Sequence, residues 1–248
     1  MAHEQIEIFT AEDNCPSHVL TPDDGRGGPA IILYMDAGGI RPVVIDMAAR
    51  LANAGYVVLL PDLFYRHGPY GPFDPRELFK GDVRSVLGPL MATTCNATAA
   101  KDSATFLDYL DSRSDVIGDK VGAIGFCMGG GMAIAAAGTY PARFAAVASF
   151  HGGNLATDAS DSPHTYASKL QAELYIAAAT NDDSYPRQMA ETFEAALRQA
   201  GARYATDTYP AAHGWMKPDF PVYDHKQAER CWHTLLAFFH RILKQHAN

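Results

Sequence analysis

Apolar residues along this chain fall into short unbroken runs separated by stretches of helical periodicity, and strict alternation is rare. Ala30 to Met35, Tyr56 to Leu60, Lys120 to Phe126, Phe144 to Phe150 and Ala172 to Ala179 each read as a strand covered on both faces. Tyr204 to Tyr209 predicts one more strand. Between them, Pro42 to Asn53, Ala97 to Leu110, Met128 to Ala137, Arg187 to Gln199 and Asp224 to Lys244 repeat at helical spacing, with Gly55 and Gly201 placed as stops.

Strand following helix from residue 30 onward predicts an α/β fold with a mostly parallel sheet and helices on both faces, because parallel neighbours need a right-handed crossover. Residues 4 to 20 alternate weakly before Thr21-Pro22-Asp23-Asp24-Gly25, which predicts one or two edge strands and a turn. Residues 61 to 93 lack a clean period and predict a loop with short helices that overhangs the site, an ordinary surface excursion being the plainer reading. Residues 154 to 169 are polar and read as loop.

Composition narrows the picture. With 248 residues, 48% hydrophobic, the chain is long enough for one well-buried core and short for two, so residues 1 to 248 are expected to form a single domain. A formal net charge of -8 argues against nucleic acid or a membrane surface as partner. The four cysteines, Cys15, Cys95, Cys127 and Cys231, are widely spaced and form no zinc-ligand pattern, so neither a disulfide framework nor a metal is expected. The N-terminal residues have no basic segment followed by an apolar one, and a cytoplasmic protein is the expectation.

The chemistry concentrates at Val121 to Gly131, where an apolar run meets an alanine-rich one with Cys127 on the turn between. Glycines two residues before and two after Cys127 suit a sharp strand-turn-helix, in which a side chain at either place would collide with the neighbouring element. The amides at such a helix start can stabilise an oxyanion, and the same helix start favours the charged form of a thiol. An inert buried cysteine or a phosphate cradle are the plainer readings. The second lacks the Lys-Ser/Thr and Gly-x-Gly-x-x-Gly patterns.

Other polar residues fall at predicted strand ends, where ligands of such sheets bind. Asp36 follows one strand, Asp182 and His213 follow the last two, and 55 residues separate Cys127 from Asp182 with 31 more to His213. Nucleophile, acid, histidine is the chain order of an α/β-hydrolase triad, in which an imidazole moves the proton and a carboxylate orients it. Asp182 could equally cap the helix near Pro186, Asp183 competes with it, and His151 also lies at a strand end.

Taken together, Pro61-Asp62-Leu63-Phe64-Tyr65-Arg66, Gly125-Phe126-Cys127-Met128-Gly129-Gly130, Asn181-Asp182 with Pro186, and His213-Gly214-Trp215 resemble the dienelactone hydrolase family, carboxymethylenebutenolidase-like enzymes of the α/β-hydrolase fold. The resemblance spans about residues 28 to 245. It implies Cys127 as nucleophile, His213 as acid and base, Asp182 as its partner, and an oxyanion hole from the backbone N–H groups of Met128 and Ala37. It implies no metal or organic cofactor, and a small ester or lactone as substrate.

Two places depart from the family pattern. Asp36 stands where the family has a glutamate that supports the thiol, and Lys217 where it has an arginine for a substrate carboxylate. A lysine cannot form the planar bidentate pair. Arg66, Lys80 and Arg84 are further candidates to contact substrate. A carboxylesterase or thioesterase on another acyl group, a non-catalytic binding protein on a hydrolase scaffold, and a redox-sensing thiol are the alternatives.

Overall fold

The computed structural model describes residues 1–23 and 25–244. Eight strands form one sheet in the order β1-β2-β4-β3-β5-β6-β7-β8. β1 (Ala2–Phe9) and β2 (Asn14–Thr21) make an antiparallel hairpin on one edge, and β2 runs antiparallel to β4 (Val57–Pro61). From β4 through β3 (Ala30–Tyr34), β5 (Val121–Phe126), β6 (Phe144–Phe150), β7 (Glu173–Asn181) and β8 (Tyr204–Ala212) every pairing is parallel. This is the architecture of the α/β-hydrolase fold.

Every residue of β3, β4, β5 and β6 is buried, which is why these segments read as continuous apolar runs. Helices cover both faces. α1 (Pro42–Asn53) starts on a proline, whose missing N–H costs a first turn nothing, and is followed by Gly55 at φ 91°. α4 (Asn96–Asp111) packs against α5 (Met128–Thr139), and α5 in turn lies on β5 and β6. α5 is buried on nearly every side, so its alanines and glycines let other elements come close: a Cβ on Gly138 would lie 2.6 Å from Tyr166. α6 (Arg187–Ala200) and the amphipathic α7 (His225–Leu243) complete the layers.

The differences from expectation are local. Within 154 to 169, expected as loop, Pro163–Lys169 winds into a 3-10 helix that packs on α5, a turn too short to carry a period. β8 continues past Tyr209 to Ala212 through Pro210, an edge-strand position where a proline is tolerated, and its register against β7 slips between Ala179 and Asn181. Asp24, in the turn expected after β2, lies outside the described residues.

Residues 61 to 93 hold three short helical pieces, Tyr65–His67, α2 (Pro75–Leu78) and α3 (Val83–Met91). Asp74 and Asp82 cap the last two by accepting from the amides of Arg76 and of Arg84 and Ser85. The segment reaches the sheet rim at two points. The Tyr70 hydroxyl accepts from the Ile40 amide at 3.2 Å, and Phe79 meets the Phe220 ring edge-on at 5.1 Å.

Candidate active site

Cys127 sits between β5 and α5 with its backbone at φ 55° and ψ -120°, a conformation that costs a non-glycine residue energy and persists only where the surroundings enforce it. Its two flanking glycines do the enforcing. A Cβ on Gly125 would lie 1.9 Å from the Gly129 carbonyl oxygen, and one on Gly129 would lie 2.3 Å from that of Tyr34. The turn is therefore pressed against β3, and Cys127, partly exposed, donates its amide to the Phe150 carbonyl at 3.1 Å. Met128 opens the helix beside it.

The ends of β7 and β8 bring in the other two residues. His213, immediately after β8, donates its amide to the Asn181 carbonyl at 3.2 Å, which ties its position to the end of β7. Its Nδ1 lies 2.8 Å from Asp182 Oδ2, and the Cys127 thiol lies near enough to favour the charged form of the ring. Asp182 is buried whereas Asp183 is exposed, which separates two neighbours that composition could not. Ser184, two residues on, donates its hydroxyl to Asp182 Oδ1 at 2.6 Å and lies 3.0 Å from His213 Nδ1; its amide donates to the same Oδ1 at 2.9 Å. No motif marked Ser184; the signal available was a hydroxyl two residues after an acid, the spacing of an Asx turn.

These contacts fix the electrostatics. Burial works against a charged His213, but the hydrogen bonds to Asp182 and Cys127 outweigh it and push the imidazole up to about 10 from 6.5. Burial likewise opposes the Asp182 carboxylate, and the bonds from His213 and Ser184 win, holding it below the ordinary 3.8. An imidazolium facing both a carboxylate and a sulfur is the arrangement that activates a thiol for attack.

Asp36 carries a different set of contacts from the one expected. Its Oδ1 accepts from Arg41 Nη1 at 2.8 Å and from the Gly38 amide at 2.7 Å, and its Oδ2 takes Arg41 Nη2 at 3.1 Å and the Lys217 ammonium at 2.9 Å. Arg41 continues to Asp219, Nε to Oδ2 at 2.6 Å. Burial opposes the Asp36 charge, yet the two cations hold the carboxyl well below its usual range. Lys217 is wholly buried, with its Nζ 4.0 Å over the Phe126 ring, and its charge goes to Asp36. Sequence reasoning missed Arg41 and Asp219, which lie 178 residues apart.

The remaining cation candidates sit elsewhere. Arg66 grips Asp102 through Nη1 and Nη2 at 2.9 and 2.8 Å and reaches Glu12 through Nε. Lys80 pairs with Glu77 on the surface, and Arg84 is exposed on the first turn of α3. A cavity of about 460 Å³ opens beyond the loop after β3, with Ile40, Asp62 and Tyr70 on its wall and no residue of the Cys127–His213–Asp182 set. Among the described residues no group of three or more His, Cys, Asp or Glu is placed to hold a metal ion, and no helix is long and apolar enough to cross a membrane.

Comparison with known proteins agrees with this fold. The chain is 30% identical over 236 residues to a provisionally named carboxymethylenebutenolidase of Escherichia coli (strain K12), covering 92% of this chain and 82% of that one. A similarly named protein of Synechocystis sp. is 27% identical over 222 residues, 87% of each chain. Among solved structures, a provisionally named dienelactone hydrolase of Klebsiella pneumoniae subsp. pneumoniae superposes with a TM-score of 0.84 at 25% identity, over 96% of this chain and 98% of that one. The profile of the dienelactone hydrolase family matches residues 16–243, and with strand order and relatives in agreement, the chain belongs to the dienelactone hydrolase family.

Proposed function

We propose that this protein hydrolyses small ester or lactone substrates through a Cys127–His213–Asp182 triad and an acyl-enzyme. The observation that carries the reading is His213 held by Asp182 at Nδ1, at 2.8 Å, with the Cys127 thiol near enough to favour the charged form of the same ring. The Cys127 sulfur attacks the carbonyl carbon, and the carbonyl electron pair moves onto oxygen, where the amides of Met128 and Ala37 would stabilise it. Collapse breaks the bond to the alkoxy oxygen, which leaves with the proton of the His213 imidazolium. A water molecule then gives its proton to His213 and attacks the thioester. The acid departs and the sulfur is returned.

The charge distribution supports uncharged acyl substrates over a lactone carrying its own carboxylate. Lys217 is closed against Asp36, and Arg66 against Asp102 and Glu12, so neither offers a free cation. Thioesters and linear carboxylic esters fit the same chemistry. Steady-state rates across uncharged lactones, linear esters and thioesters, each beside a carboxylate-bearing analogue, rank them; the uncharged members should be preferred.

The triad is tested with Cys127→Ala, which should abolish turnover of a small activated ester while leaving the melting temperature nearly unchanged. Mass spectrometry of the wild-type protein after brief exposure to that ester should find the acyl group on the Cys127 peptide. Full activity in the variant ends the Cys127 proposal, and a wild type with neither turnover nor an acylated peptide ends it in favour of a non-catalytic scaffold.

A further inference from the structure

His151 has no role in the reaction just described, yet it stands beside both of its movers. β5 and β6 end in register at Phe126 and Phe150, so His151 leaves its strand at the level at which Cys127 leaves its own. Both enter the left-handed region, at φ 39° and 55°, a backbone cost that a core position has no reason to bear. The His151 amide donates to the Ala177 carbonyl at 2.8 Å, which fixes the residue between the β5 and β7 strand ends.

The ring itself is fully buried and meets three others. Its centroid lies 4.9 Å from that of His213 with the planes at 65°, 5.3 Å from Trp215 at 70°, and 5.9 Å from Phe126. Neither ring nitrogen has a hydrogen-bond partner among the described residues. Burial first, then the charges of His213 and Lys217, push its pKa well below 6.5, and Asp36 and Asp182 oppose this only in part. His151 is therefore a neutral aromatic ring set edge-to-face against a ring that must become a cation.

We propose that His151 is a positioning residue whose neutral ring braces the His213 imidazole toward Asp182 and stabilises the imidazolium facing Cys127. A cation within about 6 Å of an aromatic face is attracted to it, more strongly where water is excluded. The catalytic meaning of this brace rests on the hydrolase reading above. Its physical content is the ionisation of His213, which can be read without turnover.

The test is an NMR titration of isotopically labelled histidine, with the His213 resonance assigned by its loss in His213→Ala, in the wild type, His151→Leu and His151→Phe. Removing the aromatic face in His151→Leu should lower the His213 midpoint by about one pH unit, and His151→Phe should return it to within about 0.3 of wild type. The alkylation rate of Cys127 by iodoacetamide near neutral pH should fall several-fold in the leucine variant and recover in the phenylalanine one. An unchanged midpoint in His151→Leu, or a fallen one in His151→Phe, overturns the brace. If the leucine variant does not fold, His151→Met, which fills the space without an aromatic ring, takes its place with the same expected fall. A wild type that acylates no ester sinks the hydrolase reading and leaves the titration result standing.

Discussion

Two charged clusters share the carboxyl rim of the sheet, and they differ in what they leave unfinished. Asp36, Arg41, Lys217 and Asp219 close on one another through contacts of 2.6 to 3.1 Å, with the Asp36, Arg41 and Lys217 side chains at most 2% exposed. Asp182, Ser184 and His213 are bonded as tightly at one end, but the His213 side chain is 28% exposed and the Cys127 thiol lies near enough to favour its charge. Residue types alone do not separate the two. A cluster whose charges are matched internally has no free cation left for a substrate, whereas a histidine held on one nitrogen keeps the other for a proton in transit.

The contrast breaks most sharply at Asp182. In Asp182→Asn the amide would donate where the carboxylate accepts, forcing the proton onto the histidine nitrogen that faces Cys127, so that His213 can no longer take a proton from sulfur. Ester turnover should fall by about 10³ to 10⁴-fold with little change in KM. A folded variant retaining a tenth or more of the wild-type rate would show that the acid is dispensable.

Asp36→Asn attacks the other cluster, and its effect should appear in stability instead. Two buried cations would lose their shared carboxylate, a loss of about 3 to 5 kcal/mol by chemical denaturation. Turnover per folded molecule should stay within about three-fold, which in free energy is under about 1 kcal/mol. Loss of activity in a fully folded variant would instead assign Asp36 the thiol-supporting role expected from its sequence position.

The pH dependence of stability singles out His213, because its shift is opposite in sign to those of the two buried carboxylates. His213 is raised from 6.5 to about 10, so its contribution is complete below pH 6.5 and disappears as pH rises through 10. Asp36 and Asp182 are both lowered from 3.8, so theirs is present above that value and lost on acidification. Denaturation midpoints measured from pH 6 to 10 should therefore fall in the wild type and flatten in His213→Ala. Parallel slopes would remove His213 as the alkaline determinant.

How much of this was legible in the sequence follows the same division. β3, β5 and β6 were readable because burial on both faces leaves an uninterrupted apolar run, and the turn at Cys127 because contacts as short as 1.9 and 2.3 Å admit only glycine at 125 and 129. The order Cys127, Asp182, His213 was readable because each follows a strand. The partner of Lys217 was not: Arg41 belongs to the start of α1, and only the folded loop shows that it takes the carboxylate of Asp36 from both sides. The short helices of residues 61 to 93 were expected as a class, but their bounds were hidden, since pieces of four and nine residues show too few turns to reveal a period.

The smallest expected effect belongs to Ser184, which the sequence did not mark. Its hydroxyl donates to Asp182 Oδ1 at 2.6 Å, so its oxygen is free to accept from His213 Nδ1–H at 3.0 Å beside the stronger bond to Asp182. Ser184→Ala would leave Oδ1 with the Ser184 backbone amide and the imidazole with Oδ2, so the triad loses one orienting contact and keeps its charges. A single neutral hydrogen bond is worth about 0.5 to 1.5 kcal/mol, which predicts a fall in kcat of about three- to ten-fold and a slightly lower His213 midpoint. A loss as large as that of Asp182→Asn would mean that Ser184 fixes the tautomer of His213. An unchanged kcat would mean that the carboxylate alone sets the ring, and the open cluster would then reduce to its three charged or nucleophilic members.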